Sequence, residues 1–455
     1  MSIMDNRGKA PAAELVEQFR QAIGNIASTT DERQLRMKSR DFYWYSPVLT
    51  PQLQNCRADI VVQPQSEDEI KMVAAAAAGL RIPLTVRGGG TGNYGQSVPL
   101  KGGIVLDMTR CDEIIAVNAG SIRVEAGALI QSALAAALAT GQQLMMYPST
   151  MKSATVGGYL GGGFAGIGSV RHGIIRDSGM IQSVKIMTLE EKPRVLTLSG
   201  DDVGFVFHAW GTTGIILEAE LRLVPAERWI DCIATFPSYA DVIAFGNAAF
   251  ESELDVFLLS AVERRFAPFY KRLNAYFDGS RDAMFSMVKE SDVDRFFALA
   301  GKFNGARAMA VSETESAAAN LRRIHETAFN HTTLMALQVE PQWTYLQVVM
   351  PNPFDPKLAA GQMRRFGEEV LMHHEYTREK GRCRIGGLPL IRYTTEARLN
   401  EIMRLFESDG CVLNNPHIFK LEDGGRFDPE GRKMAFRAKV DPLGLMNPGK
   451  LRSIA

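Results

Sequence analysis

The chain has 455 residues, 46% hydrophobic and 22% charged, with 51 basic and 51 acidic side chains. That length calls for two cores rather than one, and the even charge balance argues against a nucleic-acid partner held by a basic surface. No run of about 18 apolar residues is present to cross a membrane, and a polar start over residues 1–11 without an apolar signal core leads to the expectation of a cytoplasmic protein. The five cysteines, Cys56, Cys111, Cys232, Cys383 and Cys411, form no CxxC pair. They read as reduced thiols rather than disulfide, zinc or iron–sulfur ligands.

In chain order, residues 11–37 carry apolar side chains at helical spacing (Ala13, Val16, Phe19, Ile23, Ile26), and 41–51 is an aromatic, proline-bounded linker. A β-branched run at 59–64 precedes Ser66-Glu-Asp-Glu69, a capping-box pattern opening an alanine-rich helix. Strands are expected at 82–86, 103–108, 114–117 and 121–125, a helix at 127–141, and strands at 181–189, 195–198 and 214–224. Beyond 229 the texture changes. Helices are expected at 291–300, 313–330 and 356–379, strands at 334–340 and 344–349, and a helix from 432. Short strands with interspersed helices in both halves give an α+β fold class.

Two glycine-rich stretches stand out. Thr85-Val-Arg-Gly-Gly-Gly-Thr-Gly-Asn-Tyr-Gly95 follows a strand, and Pro148 to Ser169 holds Ala154-Thr-Val-Gly-Gly158, Gly161-Gly-Gly163 and Gly166-Ile-Gly168. Glycine lets backbone amides reach a ligand and form a concave nest for phosphate oxygens. Gly90-Thr-Gly-Asn-Tyr-Gly95 matches GxGxxG literally, with Asp107 further on. A nicotinamide-dinucleotide loop of that kind must open a helix. Here Pro99, Gly102 and Gly103 follow instead, and they suit no helix interior.

Five motifs then come in one order: 86–92, 154–158, Gly168-Ser-Val-Arg-His-Gly173, Gly214-Ile-Ile-Leu-Glu-Ala-Glu-Leu-Arg-Leu223, and Asp441-Pro to Asn447-Pro-Gly-Lys450. This order resembles the vanillyl-alcohol oxidase / p-cresol methylhydroxylase (PCMH-type) family of FAD-dependent oxidoreductases, within it the glycolate oxidase and D-lactate dehydrogenase branch. The likeness is strong over about 55–225 and over the final dozen residues. It implies an N-terminal helix and linker (1–54), a two-subdomain FAD-binding domain (55–226), an α+β substrate or cap domain (227–430) and a C-terminal segment (431–455) that returns to the FAD domain.

By that resemblance Arg87, Gly88, Gly89, Gly90, Thr91, Gly92 and Asn93 would hold the pyrophosphate. Ser149, Thr155, Gly157 and Gly158 would line the ribityl chain and ring, and Gly168, Ser169, His172 and Gly173 would continue the channel. His172 stands where relatives often carry tyrosine. Gly214, Ile215 and Ile216 would meet the adenine side, and Asn447 and Lys450 would approach the flavin, Lys450 as a further catalytic candidate. Relatives that tether flavin at the first loop use a histidine where this chain has Thr91, and residues 148–169 hold no cysteine, so FAD is expected to be non-covalent. A histidine tether from the cap stays open.

The implied reaction removes hydride from a carbon bearing a hydroxyl or amine, which needs a base and a charge to hold the substrate. His417, after Pro416, is the first candidate base. Arg392, beside Tyr393, could clamp a carboxylate, although an arginine is more often salt-bridged at a surface. Tyr345 and Gln347, two apart on an expected strand, could face the pocket, although such a tyrosine is more often core. His373-His-Glu375, read on a helix, diverge too far to share an ion, so no metal site is expected. The branch's metal-binding histidine pattern is absent, which leaves alcohols, aryl alcohols, sugars and amines open beside 2-hydroxy acids.

The expected partners are a small-molecule substrate and an electron acceptor (oxygen, a quinone or a carrier protein), with a homodimer compatible. Three alternatives stand beside the oxidoreductase reading: a flavin-dependent reductase, a non-redox flavin enzyme such as an ether-lipid synthase, and an electron-transferring flavin subunit.

Overall fold

The computed structural model describes residues 12–424 and 431–451. Readings that fall on 1–11, 425–430 and 452–455 lie outside the described residues. Among the described residues no helix is long and apolar enough to cross a membrane.

The chain up to residue 225 builds two sheets. In the first, Ile60–Val62, Ile104–Asp107 and Leu84–Arg87 run parallel, with the last two strands paired in register from Leu84↔Ile104 to Arg87↔Asp107. These three parallel strands are rich in β-branched residues and leucine and bury both faces, as parallel strands covered by helices must. The helix Glu67–Gly79 covers one face with Ile70, Val73, Ala74 and Ala77. The second sheet is antiparallel. Its long strand, Ile215–Pro225, alternates buried and half-buried residues and pairs with Ser121–Glu125 on one side and Ile181–Met187 on the other.

Residues 229–413 form an eight-stranded antiparallel sheet whose centre holds Trp229–Phe236, Asp282–Lys289, Val256–Val262 and His373–Glu379. Four helices, Tyr239–Glu251, Val293–Gly301, Pro356–Phe366 and Glu396–Ser408, supply much of its apolar cover. One apolar cluster runs from the FAD-side residues Tyr147, Ile167 and Met145 through Phe257 to Tyr270, Phe285 and Tyr345, so the two halves share a core at their seam.

The C-terminal residues fold back onto the first sheet. Leu84 donates its N–H to Leu445 O at 2.9 Å, and Asn447 donates to Leu84 O at 2.8 Å. The Asp441 carboxylate accepts from the N–H groups of Leu445 and Met446 at 2.8 and 2.9 Å, which fixes the turn that delivers this segment.

Six expectations need correction. Residues 11–37 are not one helix. Helix Ala12–Ile23 ends at Gly24, whose φ of +60° suits only glycine comfortably, and Ser28–Thr29 pairs with Ile60–Val62 before Glu32–Lys38 begins. Ser66 does cap its helix by accepting from Glu69 N–H at 3.2 Å. The Glu69 carboxylate, however, takes the Gln65 N–H at 2.7 Å, so the box is not reciprocal there; it is reciprocal at Ser312 and Glu315. The helix expected at 313–330 stops at Ala318. The one expected at 356–379 stops at Phe366 before Gly367 (φ +55°), and the rest of that stretch is the strand His373–Glu379. Residues 334–340 lie in the helix His331–Val339. Residues 344–349 divide between Trp343–Tyr345 and Val348–Val349, in different sheets. A strand buried on both faces shows no alternation, so periodicity alone cannot separate it from a helix.

Candidate functional site

The first glycine stretch leaves the end of strand Leu84–Arg87 and lies directly on the second. A Cβ on Gly88 would collide with the Thr155 side chain, and one on Gly89 with the Ser153 backbone carbonyl. Since backbone cannot swing aside, residue 89 must be glycine for the two loops to touch. Thr155 caps the short helix Val156–Gly162, accepting the Gly158 N–H at 3.1 Å. Gly158 itself is exposed, and Gly88 to Gly92 and Gly161 to Gly163 are half-exposed.

Side chains brace these loops from behind. Arg87 is buried and donates through Nη1 to Arg40 O at 2.5 Å and Ser97 Oγ at 3.3 Å, so its charge grips the linker and leaves the ligand side to backbone amides. Asn447 donates through Nδ2 to Gln96 O and to Trp210 O, both at 2.7 Å, and accepts from Thr85 Oγ1 at 3.3 Å. One amide thereby ties the C-terminal segment, the first loop and the 208–211 turn together. Lys450 is wholly buried and donates to Gly95 O at 2.5 Å. Burial pushes its ammonium well below the usual lysine range, with Asp41 opposing that push. Burial likewise pushes the Asp41 carboxyl up, against the attraction of Lys450 and Arg87. Asn93 is buried beside them, and Thr91 is half-exposed.

Residues 166–174 are the seam between halves. Gly168, at φ +99°, donates its N–H to Phe257 O at 2.8 Å, and Ile174 N–H reaches Arg378 O at 2.9 Å. A side chain at 168 would strike Met145 O and the Phe257 ring. Ser169 Oγ accepts the Gly166 N–H at 2.9 Å. The His172 ring stands edge-on to Phe257 at 6.1 Å. Its Nε2 is buried with no partner, and burial, then the Arg171 charge, holds the imidazole down at about 4. Gly173, at φ +93°, closes this turn. Gly214 packs on Ile186 and gives its N–H to Met446 Sδ at 3.2 Å. Ile215 is buried in the apolar cluster of the first sheet, and Ile216 is half-buried.

Of the four candidate catalytic residues, His417 and Tyr345 meet, while Arg392 and Lys450 are each held by other partners. His417 is buried, with Nδ1 2.7 Å from Ser46 Oγ and Nε2 3.0 Å from Tyr345 O. A carbonyl can only accept, so Nε2 carries the proton, and Ser46 donates to Nδ1. Tyr345 is fully buried, its ring 6.1 Å from both Tyr45 and His417. Arg392 is 3.2 Å from the Glu340 carboxylate and lies over the Trp343 ring at 4.5 Å. Lys450 braces the first loop, as above. Gln347 is not on Tyr345's strand; its Oε1 accepts from Tyr94 OH at 2.5 Å.

His373-His-Glu375 is also not on the helix that the sequence suggested. All three are buried on a central strand. His373 Nε2 meets Glu375 Oε1 at 2.9 Å and Ser260 Oγ at 3.0 Å. His374 points to the other face, 2.7 Å from Tyr239 OH, and burial holds its imidazole down at about 3. Neighbours on a strand face opposite ways, and no metal-ligating cluster occurs among the described residues.

Sequence reasoning passed over several groups. Tyr94 stacks on Trp210 at 5.9 Å. Trp210 and His208 adopt left-handed φ of +53° and +50°, a rare conformation for residues of that size. A cavity of about 310 Å³ is lined by Ser149 to Ser153 of the second glycine stretch and by Arg272, Arg322, His325, Glu326 and His331 of the other half. Of these groups only Tyr94 and Ser149 to Ser153 lie in glycine-rich stretches that carry a signal; Trp210 follows Phe205-Val-Phe-His-Ala209 and carries none, nor do scattered arginines and histidines.

The profile of the family described as "FAD binding domain" matches residues 58–197. Residues 58–197 are an FAD-binding domain of the PCMH type. FAD is its cofactor, and the first loop fits it, since Gly88 to Gly92 are half-exposed and present backbone without side chains, while the first-turn N–H groups of the second stretch are taken by Ala128 O, Ala126 O and Thr155. The chain is 27% identical to D-lactate dehydrogenase of Anaerostipes hadrus over 203 residues, 40% of this chain and 42% of that one. It is 28% identical to glycolate oxidase subunit GlcD of Bacillus subtilis over 188 residues, 40% of each. The chain thus matches about two fifths of the length of these relatives. The fold as a whole is similar to a solved alkyldihydroxyacetonephosphate synthase, with a TM-score of 0.72, 16% identity, and 98% of this chain and 87% of that one covered.

Proposed function

We propose that this protein is an FAD-dependent oxidoreductase that takes a hydride from the carbon of an alcohol or 2-hydroxy acid and delivers electrons to oxygen, a quinone or a carrier protein. The observation that supports this is the contact of Gly88 and Gly89 with Thr155 and Ser153, which brings the two glycine stretches together as the two sides of one dinucleotide site in this reading. Bound there, FAD supplies a two-electron acceptor. The chain's own part is positional. Amides of 88–92 would hold phosphate oxygens, while the helix Val156–Gly162, its first-turn N–H groups already bonded to Ala128, Ala126 and Thr155, would support that loop from below. The seam of Gly168, His172 and Phe257 would close the inner end of that site. Asn447 and Lys450 keep the first loop rigid.

His417 is assigned a positioning role in this reading, because both ring nitrogens already bind Ser46 and Tyr345. The test is anaerobic mixing of the purified flavoprotein with hydroxy acids, aryl alcohols and polyols. Bleaching of the flavin band by at least one class is expected. No bleaching by any class, with NADPH bleaching it instead, would replace the reading by a reductase.

A non-redox reading is favoured by one observation, the fold match over 98% of the chain to an alkyldihydroxyacetonephosphate synthase. Turnover that exchanges a group on a phosphorylated ketone ester without net change in flavin redox state would select it.

A further inference from the structure

The cavity beside the second glycine stretch has a charge and hydrogen-bonding inventory that the protein itself leaves unused. Arg272 and Arg322 have no hydrogen-bond or ion-pair partner among the described residues. Their neighbour Arg323 shows what pairing looks like here, since it binds the buried Asp231 carboxylate through two nitrogens at 2.7 and 3.3 Å. Lys152, from the glycine stretch, reaches Glu326 at 2.5 Å across the seam. Three cations against one carboxylate leave two positive charges on the lining. His325 is 5% exposed, and neither ring nitrogen has a partner. A buried imidazole without a partner loses hydrogen bonds it had in water, a cost that a ligand can offset. Burial, then the Arg323 charge, holds this imidazole down at about 3, so it is neutral and offers one N–H donor.

The cavity adjoins the two glycine loops. Ser149 to Ser153 form one of its walls, and the Ser153 carbonyl is the atom that lies under Gly89. His325 stands edge-on to Tyr147 at 6.0 Å, and Tyr147 forms an antiparallel bridge with Ile167 of the same stretch.

We propose that this cavity holds a dianionic group of the substrate, a phosphomonoester or a second carboxylate, on Arg272, Arg322 and the His325 N–H. A lone carboxylate is matched by one guanidinium fork; two unpaired guanidiniums and a free imidazole suit two negative charges. The inference deepens the proposed reaction and rests on it for the word substrate, while the anion site stands on its own geometry.

The experiment is isothermal titration calorimetry of the purified flavoprotein with inorganic phosphate, malonate and acetate at low salt and at about 150 mM NaCl. One site is expected, binding at least one dianion ten times or more tighter than acetate, and weakening with salt as screening requires. R322Q and R272Q should each weaken dianion binding tenfold or more, with R322K intermediate and the flavin absorbance of all three unchanged. Neither arginine has a partner to lose, so these variants are expected to fold. Phosphate tighter than malonate identifies a phosphomonoester; the reverse identifies a dicarboxylate. Equal binding of acetate and both dianions overturns the proposal. So does wild-type phosphate affinity in R322Q and R272Q, or loss of flavin from them in step with lost affinity. Dianion binding that responds to the arginines in a protein carrying no flavin sustains the site and removes the redox reading instead.

Discussion

The two halves of this molecule build ligand sites by opposite means. On the FAD side the candidate ligand surface is backbone, with Gly88 to Gly92, Gly158, Gly161 and Gly162 exposed or half-exposed, while the Arg87, Asn447 and Lys450 side chains are buried and bind backbone carbonyls. On the other side the cavity is made of side chains, Arg272, Arg322 and His325. A backbone site announces itself in sequence, because only glycine tolerates such close approach. A side-chain site does not, because arginine and histidine occur wherever a surface or a core accepts them. The difference also sets how each site should fail when it is altered.

The largest effect is expected where backbone meets backbone. Gly89→Val places a branched side chain against the Ser153 carbonyl, and neither loop can yield without parting from the other. We expect a loss of at least about 3 kcal/mol together with loss of bound flavin, read by urea midpoint and by absorbance after gel filtration. Wild-type flavin content in G89V would show that the loops need not touch.

Next comes the buried charge behind the first loop. Lys450→Met leaves Asp41 buried with Arg87 as its remaining cation, and we expect a cost of about 2–3 kcal/mol, at or below the range for breaking a buried pair. The pH dependence gives a sharper reading. An unfolded lysine keeps its proton to about pH 10.4, whereas folded Lys450 releases it earlier, because burial lowers its affinity. Between those points the unfolded chain binds more protons, so wild-type stability gains a component that rises with pH above neutrality. K450M should lack that rise, as urea midpoints near pH 7.5 and 9.5 would reveal. An identical slope in both proteins would mean that Lys450 is solvated.

How much of this was legible beforehand follows the same division. Strands 60–62, 84–87, 104–107 and 215–225 were readable because β-branched runs ended at glycine or proline. The order of motifs 86–92, 154–158, 168–173, 214–223 and 441–450 pointed to the flavin. In the other half, His373–Glu379 was misread as helix because both of its faces are buried, and residues 334–340 were misread as strand because the helix His331–Val339 has no clear polar face. The partners of His417, namely Ser46 and Tyr345, lie 371 and 72 residues away in the chain, a pairing that no local pattern encodes. Asp41 was hidden in the same way, as one acid in an aromatic linker whose partner is Lys450 near the far end of the sequence.

A smaller effect is expected at His417, and two substitutions separate its roles. A glutamine can accept from Ser46 and donate to Tyr345 O as the imidazole does, so His417→Gln should cost under about 1 kcal/mol. His417→Ala leaves both groups without that partner and should cost about 1–3 kcal/mol. If the residue positions the linker, anaerobic flavin reduction should follow the same ranking, with H417Q near wild type. Equal slowing in both variants, without matching loss of stability, would restore it as the base.

The smallest effect is expected at Arg392, the residue whose sequence context suggested a carboxylate clamp. Its guanidinium lies over Trp343 and 3.2 Å from Glu340, with both side chains of the pair 40% exposed. Exposed pairs of this kind contribute about 0–1 kcal/mol, and the stacking adds about 0.5–1 kcal/mol at such a site. Arg392→Gln should therefore shift the urea midpoint only slightly and leave the half-saturating substrate concentration within about twofold of wild type. R322Q should raise that concentration tenfold or more if the dianion cavity is the anchor. The ranking of these two variants decides between a clamp chosen for its place in the sequence and one chosen for its lack of a partner. A tenfold rise in R392Q with none in R322Q would reverse the assignment.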